Sequence, residues 1–228
     1  YDFLVLAVGC TTNFFGNETI KQFRFTLKTT NDAIEIRNHI LQTFEDIISA
    51  EEKDKAALLN LTIVGAGPTG VELAGAFAEI KKDILPKDYP GINFAQFNIN
   101  LIEGSKDTLN SMSELAKKTS RKYLEEMGVH IITETFVKNY DGLTLELNNG
   151  NTIQSKTVIW AAGVIGNKID GLSTTVMKQG NRITVNRNNL VAETQNIYAI
   201  GDIALMETPK YPKGHPQLAN VAINQAKN

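Results

Sequence analysis

One cysteine, Cys10, stands among 228 residues, so the chain forms no internal disulfide and no cysteine-rich metal centre. Its histidines, His39, His130 and His215, are far apart without ligand spacing, and we expect no metal. Charge of neither sign dominates. With 23 Lys and Arg against 25 Asp and Glu, the formal net charge is -2, and the basic excess that a nucleic-acid binder needs to neutralise phosphates is missing. No stretch reaches the roughly 18 consecutive apolar residues of a spanning helix. No basic region followed by an apolar run marks an export signal. Internal repeats and low-complexity segments are absent too. What remains is 42% hydrophobic and 21% charged, the profile of a soluble globular chain with apolar residues for one large or two modest cores.

The chain opens without Met, at Tyr1-Asp2, directly into the strand-like run Phe3-Leu4-Val5-Leu6-Ala7-Val8, as a piece of a longer protein would. Gly9 ends that run, and residues 10–16 read as a loop. Asn31 and Asp32 are N-cap candidates for an amphipathic helix, in which Ile36, Ile40, Phe44, Ile47 and Ile48 fall at helical spacing as far as Ala50. The charged residues 51–55 read as that helix's exposed end or as a connection. From Leu58 the pattern becomes strand, glycine turn, helix and strand, a βαβ unit. Residues 113–127 make a second helix with Gly128 past its end, and 129–137 the next strand. In a following meander Leu143, Leu145 and Leu147 face one way before a turn at 148–151. A buried strand at 157–160 closes on Ala161-Ala162-Gly163, and strands at 182–185 and 196–200 precede Gly201-Asp202. The order predicts an α/β fold in which two segments of one domain wrap a contiguous insert, residues 60–163.

The sharpest motif is Gly65-Ala66-Gly67-Pro68-Thr69-Gly70, placed between the apolar run Leu61-Thr62-Ile63-Val64 and a helix. A bare glycine pattern is weak, but this context is the one a phosphate-binding turn requires. Gly65 permits the tight turn, Gly67 lets the backbone approach a pyrophosphate, and Gly70 lets the helix pack against the strand. The unpaired N–H groups at the helix start then face the phosphate charge. Glu103 ends the following strand, Asn98-Ile99-Asn100-Leu101-Ile102. A carboxylate there accepts bonds from ribose hydroxyls and repels a 2'-phosphate, which favours NADH over NADPH.

Three further segments carry a family resemblance. A strand runs into a small-residue glycine turn twice, at Leu6-Ala7-Val8-Gly9 and at Trp160-Ala161-Ala162-Gly163. Ile197-Tyr198-Ala199-Ile200 leads to Gly201-Asp202, and the first loop contains Thr12-Asn13-Phe14-Phe15-Gly16. With these the chain resembles the FAD-dependent pyridine nucleotide-disulfide oxidoreductases, and within them the type II NADH dehydrogenases, over essentially its whole length. The resemblance implies a Rossmann-like NAD-binding domain at 56–165, three-layered with a β-meander, inserted in a partial FAD-binding domain at 1–55 and 166–228. It implies FAD and NAD(H) as cofactors and a respiratory-chain enzyme that passes hydride from NADH to FAD and electrons on to a quinone.

Residue by residue, it implies that Asp202 contacts the FAD ribityl and phosphate region, with Gly201, Gly9, Ala162 and Gly163 allowing close backbone approach. Glu72 matches a glutamate near the nicotinamide and flavin rings; as a residue at a helix start, it also reads as an acid favoured by the dipole. The family's quinone helix corresponds to residues 216–226, where Ala219 keeps the frame. Asn220 and Asn224 stand there in place of a glutamine pair, one methylene shorter and one helical turn apart. The family's first FAD glycine turn and its membrane-binding segment have no counterpart here. The implied setting is therefore peripheral, on the cytoplasmic membrane face, with attachment through segments outside the chain and a homodimer left open. The isolated chain is expected to bind NADH better than FAD and not to turn over. A soluble NADH-dependent disulfide, ferredoxin or rubredoxin reductase, and a non-catalytic NAD(H)-binding redox sensor, are the alternatives.

Overall fold

In a computed structural model, which describes the backbone of residues 1–228 and every side chain except that of Gln179, two short strands come first. These are β1 (Leu4–Leu6) and β2 (Cys10–Thr12), joined through Gly9 at φ +67. Packing divides the chain into Phe14–Gly163 and a second unit made of Tyr1–Asn13 with Val164–Asn228. The packing boundary at 163/164 lies close to the sequence boundary at 165/166. The first one lies at 13/14 rather than 55/56, because the long helix that begins at Thr30 buries Ile36, Phe44 and Ile47 in the same core as the glycine-turn strand.

The unit Phe14–Gly163 runs α1 (Glu18–Phe23), β3 (Phe25–Thr26), α2 (Thr30–Ser49), α3 (Glu52–Leu58), β4 (Asn60–Val64), α4 (Pro68–Asp83), α5 (Leu85–Asp88), β5 (Asn98–Ile102), α6 (Glu114–Glu126) and β6 (Val129–Ile132). A meander of β7 (Val137–Tyr140), β8 (Thr144–Leu147) and β9 (Thr152–Gln154) follows, and then β10 (Thr157–Trp160). The main sheet has the order β3-β10-β4-β5-β6, with every pairing parallel. Its central strands β10, β4 and β5 are buried on both faces, as a parallel sheet covered twice requires. Leu61, Ile63, Ile99, Leu101 and Ile159 meet Ile36 and Phe44 of α2, Ala74 and Ala78 of α4 and Leu124 of α6. The alternate residues Val64, Ile102, Val158 and Trp160 meet Val137, Tyr140, Leu145 and Leu147 of the meander. The result is the three-layer, Rossmann-like arrangement that the sequence predicts.

Local differences from the sequence reading have local causes. Thr29, not Asn31 or Asp32, caps α2: its side chain accepts from the Asp32 N–H while the Asp32 carboxylate accepts from the Thr29 N–H, a reciprocal capping box. The Asp32 carboxyl is held below its usual range, chiefly by the Lys28 backbone N–H. Residues 51–55 are not a bare connection, since 52–58 form α3. The strand expected over 129–137 breaks after Ile132, where Glu134 takes φ +53 and its N–H bonds the Ser105 carbonyl. Leu143 precedes β8 and is exposed, while Leu145 and Leu147 face the core.

In the other unit, β11 (Val164–Gly166) pairs antiparallel with β2. It is followed by β12 (Met177–Lys178), β13 (Arg182–Thr184), β14 (Ile197–Ala199), β15 (Ala204–Leu205) and the closing helix α7 (Ala219–Lys227). β14 lies parallel to β1, and β13 parallel to β15. Ile183, Val185, Val191, Ala199 and Ile203 form its core.

Candidate functional site

At the C-terminal end of β4 the chain turns through Gly65 at φ +102, whose N–H bonds the Ile102 carbonyl at 2.7 Å. A side chain there would meet the Ala161 and Ala162 backbone at 2.7 Å, and one at Gly70 would run into the Gly65 carbonyl oxygen. Both glycines are therefore demanded by backbone packing. Gly67, the N-cap of α4, has open space where a side chain would project, and Pro68 takes the first helical position, which needs no N–H donor. The opening N–H groups of α4 have no intrahelical acceptor and form an anion-binding end.

Gly65 and Gly67 line a cleft of about 720 Å³ with Glu103, Gly104, Thr135, Phe136, Ala162 and Gly163. Glu103 fastens the turn to the end of β5. One carboxylate oxygen accepts from the Ala66 N–H at 2.7 Å, and the other accepts from both the N–H and the hydroxyl of Ser105 at 2.8 Å. Of roughly four lone-pair positions on a carboxylate, one is left for a ligand hydroxyl. Gly70 is buried under the turn, while Pro68 and Thr69 are exposed at the helix start. Glu72 is exposed on α4 beyond its first turn and lies outside the cleft lining, because the helix already begins at Pro68.

The second unit gathers the other expected residues. Gly9, Gly201 and Asp202 line a hollow of about 340 Å³ whose remaining wall is largely small, with Ala7, Ala222 and Ala226. Gly9 and Gly201 both sit at positive φ. The Cys10 thiol donates to Asp202 Oδ2 at 3.1 Å. Two amides that the sequence reading passed over hold this turn. Gln225 Oε1 accepts from the Gly201 N–H at 2.8 Å, and Gln217 Nε2 donates to the Asp202 carbonyl at 3.1 Å. Gln225 shares the inward stripe of α7 with Val221 and Ala222, and a polar residue on that stripe was the available clue. Arg182 donates to the His215 carbonyl at 3.0 Å; burial pushes its guanidinium down, and Asp202 and Cys10 nearby push it back up.

Ala219, Asn220 and Asn224 are exposed on α7. Asn224 lines a separate hollow of about 290 Å³ with Arg187, Asn189, Met206 and His215; Asn220 is not part of it. Small, positive-φ surroundings beside the Asp202 carboxylate fit the phosphate and ribityl part of a flavin dinucleotide, and the 720 Å³ cleft fits a nicotinamide dinucleotide.

The family model described as pyridine nucleotide-disulphide oxidoreductase matches residues 1–226. A type II NADH:quinone oxidoreductase of Mycobacterium tuberculosis is 30% identical, covering 100% of this chain and 50% of that protein. A type II NADH:quinone oxidoreductase of Staphylococcus haemolyticus is 28% identical, covering 100% of this chain and 56% of its own length. The chain thus spans about half the length of the curated relatives it matches. The solved structure of NDH2 from Plasmodium falciparum in complex with NADH superposes with a TM-score of 0.84 at 24% identity, over 91% of this chain and 44% of that one, and shares its fold.

Proposed function

The chain belongs to the pyridine nucleotide-disulphide oxidoreductase family, and from that premise we propose that the whole protein is a type II, FAD-dependent NADH:quinone oxidoreductase. This chain supplies its NADH-binding domain and part of its FAD-binding domain. The observation that carries the reading is the cleft at the sheet edge, where the Gly65–Gly70 turn, the helix start of α4 and Glu103 stand together. The α4 terminus holds the pyrophosphate, and Glu103 binds the adenosine ribose through its remaining oxygen position and repels a 2'-phosphate.

FAD, when bound, supplies the two-electron redox centre between nicotinamide and quinone. Asp202, with one oxygen held by Cys10, presents the other to the flavin's ribityl and phosphate side, and Gly9 and Gly201 admit it closely. Gly163 and Ala162 allow the nicotinamide end its approach. Glu72 orients the carboxamide or handles a proton. Ala219, Asn220 and Asn224 are the quinone-side candidates, Asn keeping the amide function on a shorter stem.

No helix of the described residues is long and apolar enough to cross a membrane. The quinone's hydrophobicity supports peripheral attachment, which we place on the cytoplasmic face, through segments outside this chain.

The test is steady-state NADH oxidation by the FAD-loaded full-length protein, with a short-chain menaquinone or ubiquinone analogue against dioxygen alone and NADPH as control donor. Rapid, quinone-dependent NADH turnover is expected. A flavin bleached by NADH that quinone fails to reoxidise points instead to a disulfide, ferredoxin or rubredoxin acceptor. Tight NADH binding without flavin reduction or turnover points to a sensing module.

A further inference from the structure

Phe136 is a large apolar side chain left 56% exposed, between Thr135 at 5% and Val137 at 8%. Its position is nonetheless fixed. The Phe136 N–H donates to Asn148 Oδ1 at 3.1 Å, and its carbonyl accepts from the Asn148 N–H at 3.0 Å. Just upstream, the Thr135 N–H bonds the Glu103 carbonyl at 3.0 Å. The left-handed Glu134, bonded to Ser105, sets the chain's direction before the ring. An anchored backbone thus holds an aromatic ring at the cleft wall, beside the acid.

The order of lining groups along the sheet edge decides what that ring meets. Gly163 follows β10, Gly65 follows β4 and Glu103 follows β5, in the spatial order of the strands, and Phe136 comes after β6 in sequence and is held beside Glu103 by the Thr135 N–H on the Glu103 carbonyl. A dinucleotide with its pyrophosphate on the Gly65–Gly70 turn and a ribose at Glu103 carries its base onward, toward β6. We infer that Phe136 is the stacking platform for the adenine of NADH, a contact that rests on the NADH reading of the cleft. Stacking covers the exposed ring and uses the π-face that every purine presents.

The cleft residues described above lie within one packing unit, Phe14–Gly163, whose wall carries the chain's single tryptophan, Trp160, so binding is read from quenching of Trp160 emission. The ligands are NADH, ADP-ribose and reduced nicotinamide mononucleotide, which lacks the adenosine. Phe136→Ala is expected to weaken NADH and ADP-ribose about tenfold, the scale of one base–aromatic stack, and to leave the mononucleotide within about twofold. Phe136→Tyr should restore binding of NADH and ADP-ribose, and thermal unfolding of both variants should match the parent because the ring is exposed. Unchanged NADH affinity in Phe136→Ala, an equal loss for the mononucleotide, or no rescue by Tyr overturns the assignment. Failure of the parent chain to bind NADH or ADP-ribose at all overturns the reading of the cleft together with it.

Discussion

The two glycine turns of this chain are held by different physics. At Gly65 and Gly70 the constraint is backbone against backbone: the Ala161 and Ala162 peptide and the Gly65 carbonyl fill the space a side chain would need. At Gly201 a side chain would find only an ordinary contact with Ala222 at 3.7 Å, and the turn is held by amides and a thiol reaching in from Gln217, Gln225 and Cys10. The first turn is set by backbone packed directly on it and is fastened by Glu103 from the next strand. The second is assembled from residues as far as 192 positions apart in the sequence.

That contrast is broken most severely at Gly70. Gly70→Ala should destabilise the Phe14–Gly163 unit by about 3 kcal/mol as the helix start is forced off the turn, and should abolish NADH binding, measured by urea unfolding and by titration. Gln225→Ala comes next. It leaves the Gly201 N–H without its acceptor at a cost of about 1–2 kcal/mol, lowering the unfolding midpoint while NADH affinity stays at the parent value. Gly201→Ala, unlike Gly70→Ala, should cost only about 1–2 kcal/mol, from the positive φ alone. An effect as large as that of Gly70→Ala would mean that the two turns are built alike after all.

This is also why one turn was legible in the sequence and the other only partly. The spacing of Gly65, Gly67 and Gly70 between an apolar strand and a helix states its own geometry, and Glu103 follows from the strand after it. Gly201-Asp202 was found by resemblance, but its supports were not, because nothing local in Gln217 or Gln225 names a partner. The βαβ order was legible in the aliphatic residues of β4, β5 and β10 and the meander in the alternation of β8, while the three-layer arrangement came from the resemblance. The packing boundary at 13/14 did not, since it depends on where Ile36, Phe44 and Ile47 of α2 dock. Glu134 shows the same limit: a non-glycine residue at φ +53 breaks a strand that composition alone would extend.

A smaller effect tests whether the nucleotide unit's own packing depends on pH. His39 of α2 stacks on Phe25 with ring centroids 4.5 Å apart, and its Nε2 lies 3.0 Å from Thr157 Oγ1. Burial pushes its pKa down, against the raising effects of the Lys156 backbone and Asp46. The unfolded chain then binds more protons than the folded one below the ordinary histidine value of about 6.5, so this contribution is complete above that pH and is lost as pH falls toward the folded value. Urea midpoints between about pH 7.5 and 5.5 should fall further in the parent than in His39→Gln. Equal slopes would remove His39 from the account.

The most direct test of the cleft is titration of this chain with NADH and with NADPH, followed through Trp160 emission. The account predicts saturable binding of NADH, with NADPH weaker by about tenfold or more because Glu103 opposes a 2'-phosphate. Equal or tighter binding of NADPH, or saturation by neither nucleotide, would contradict it.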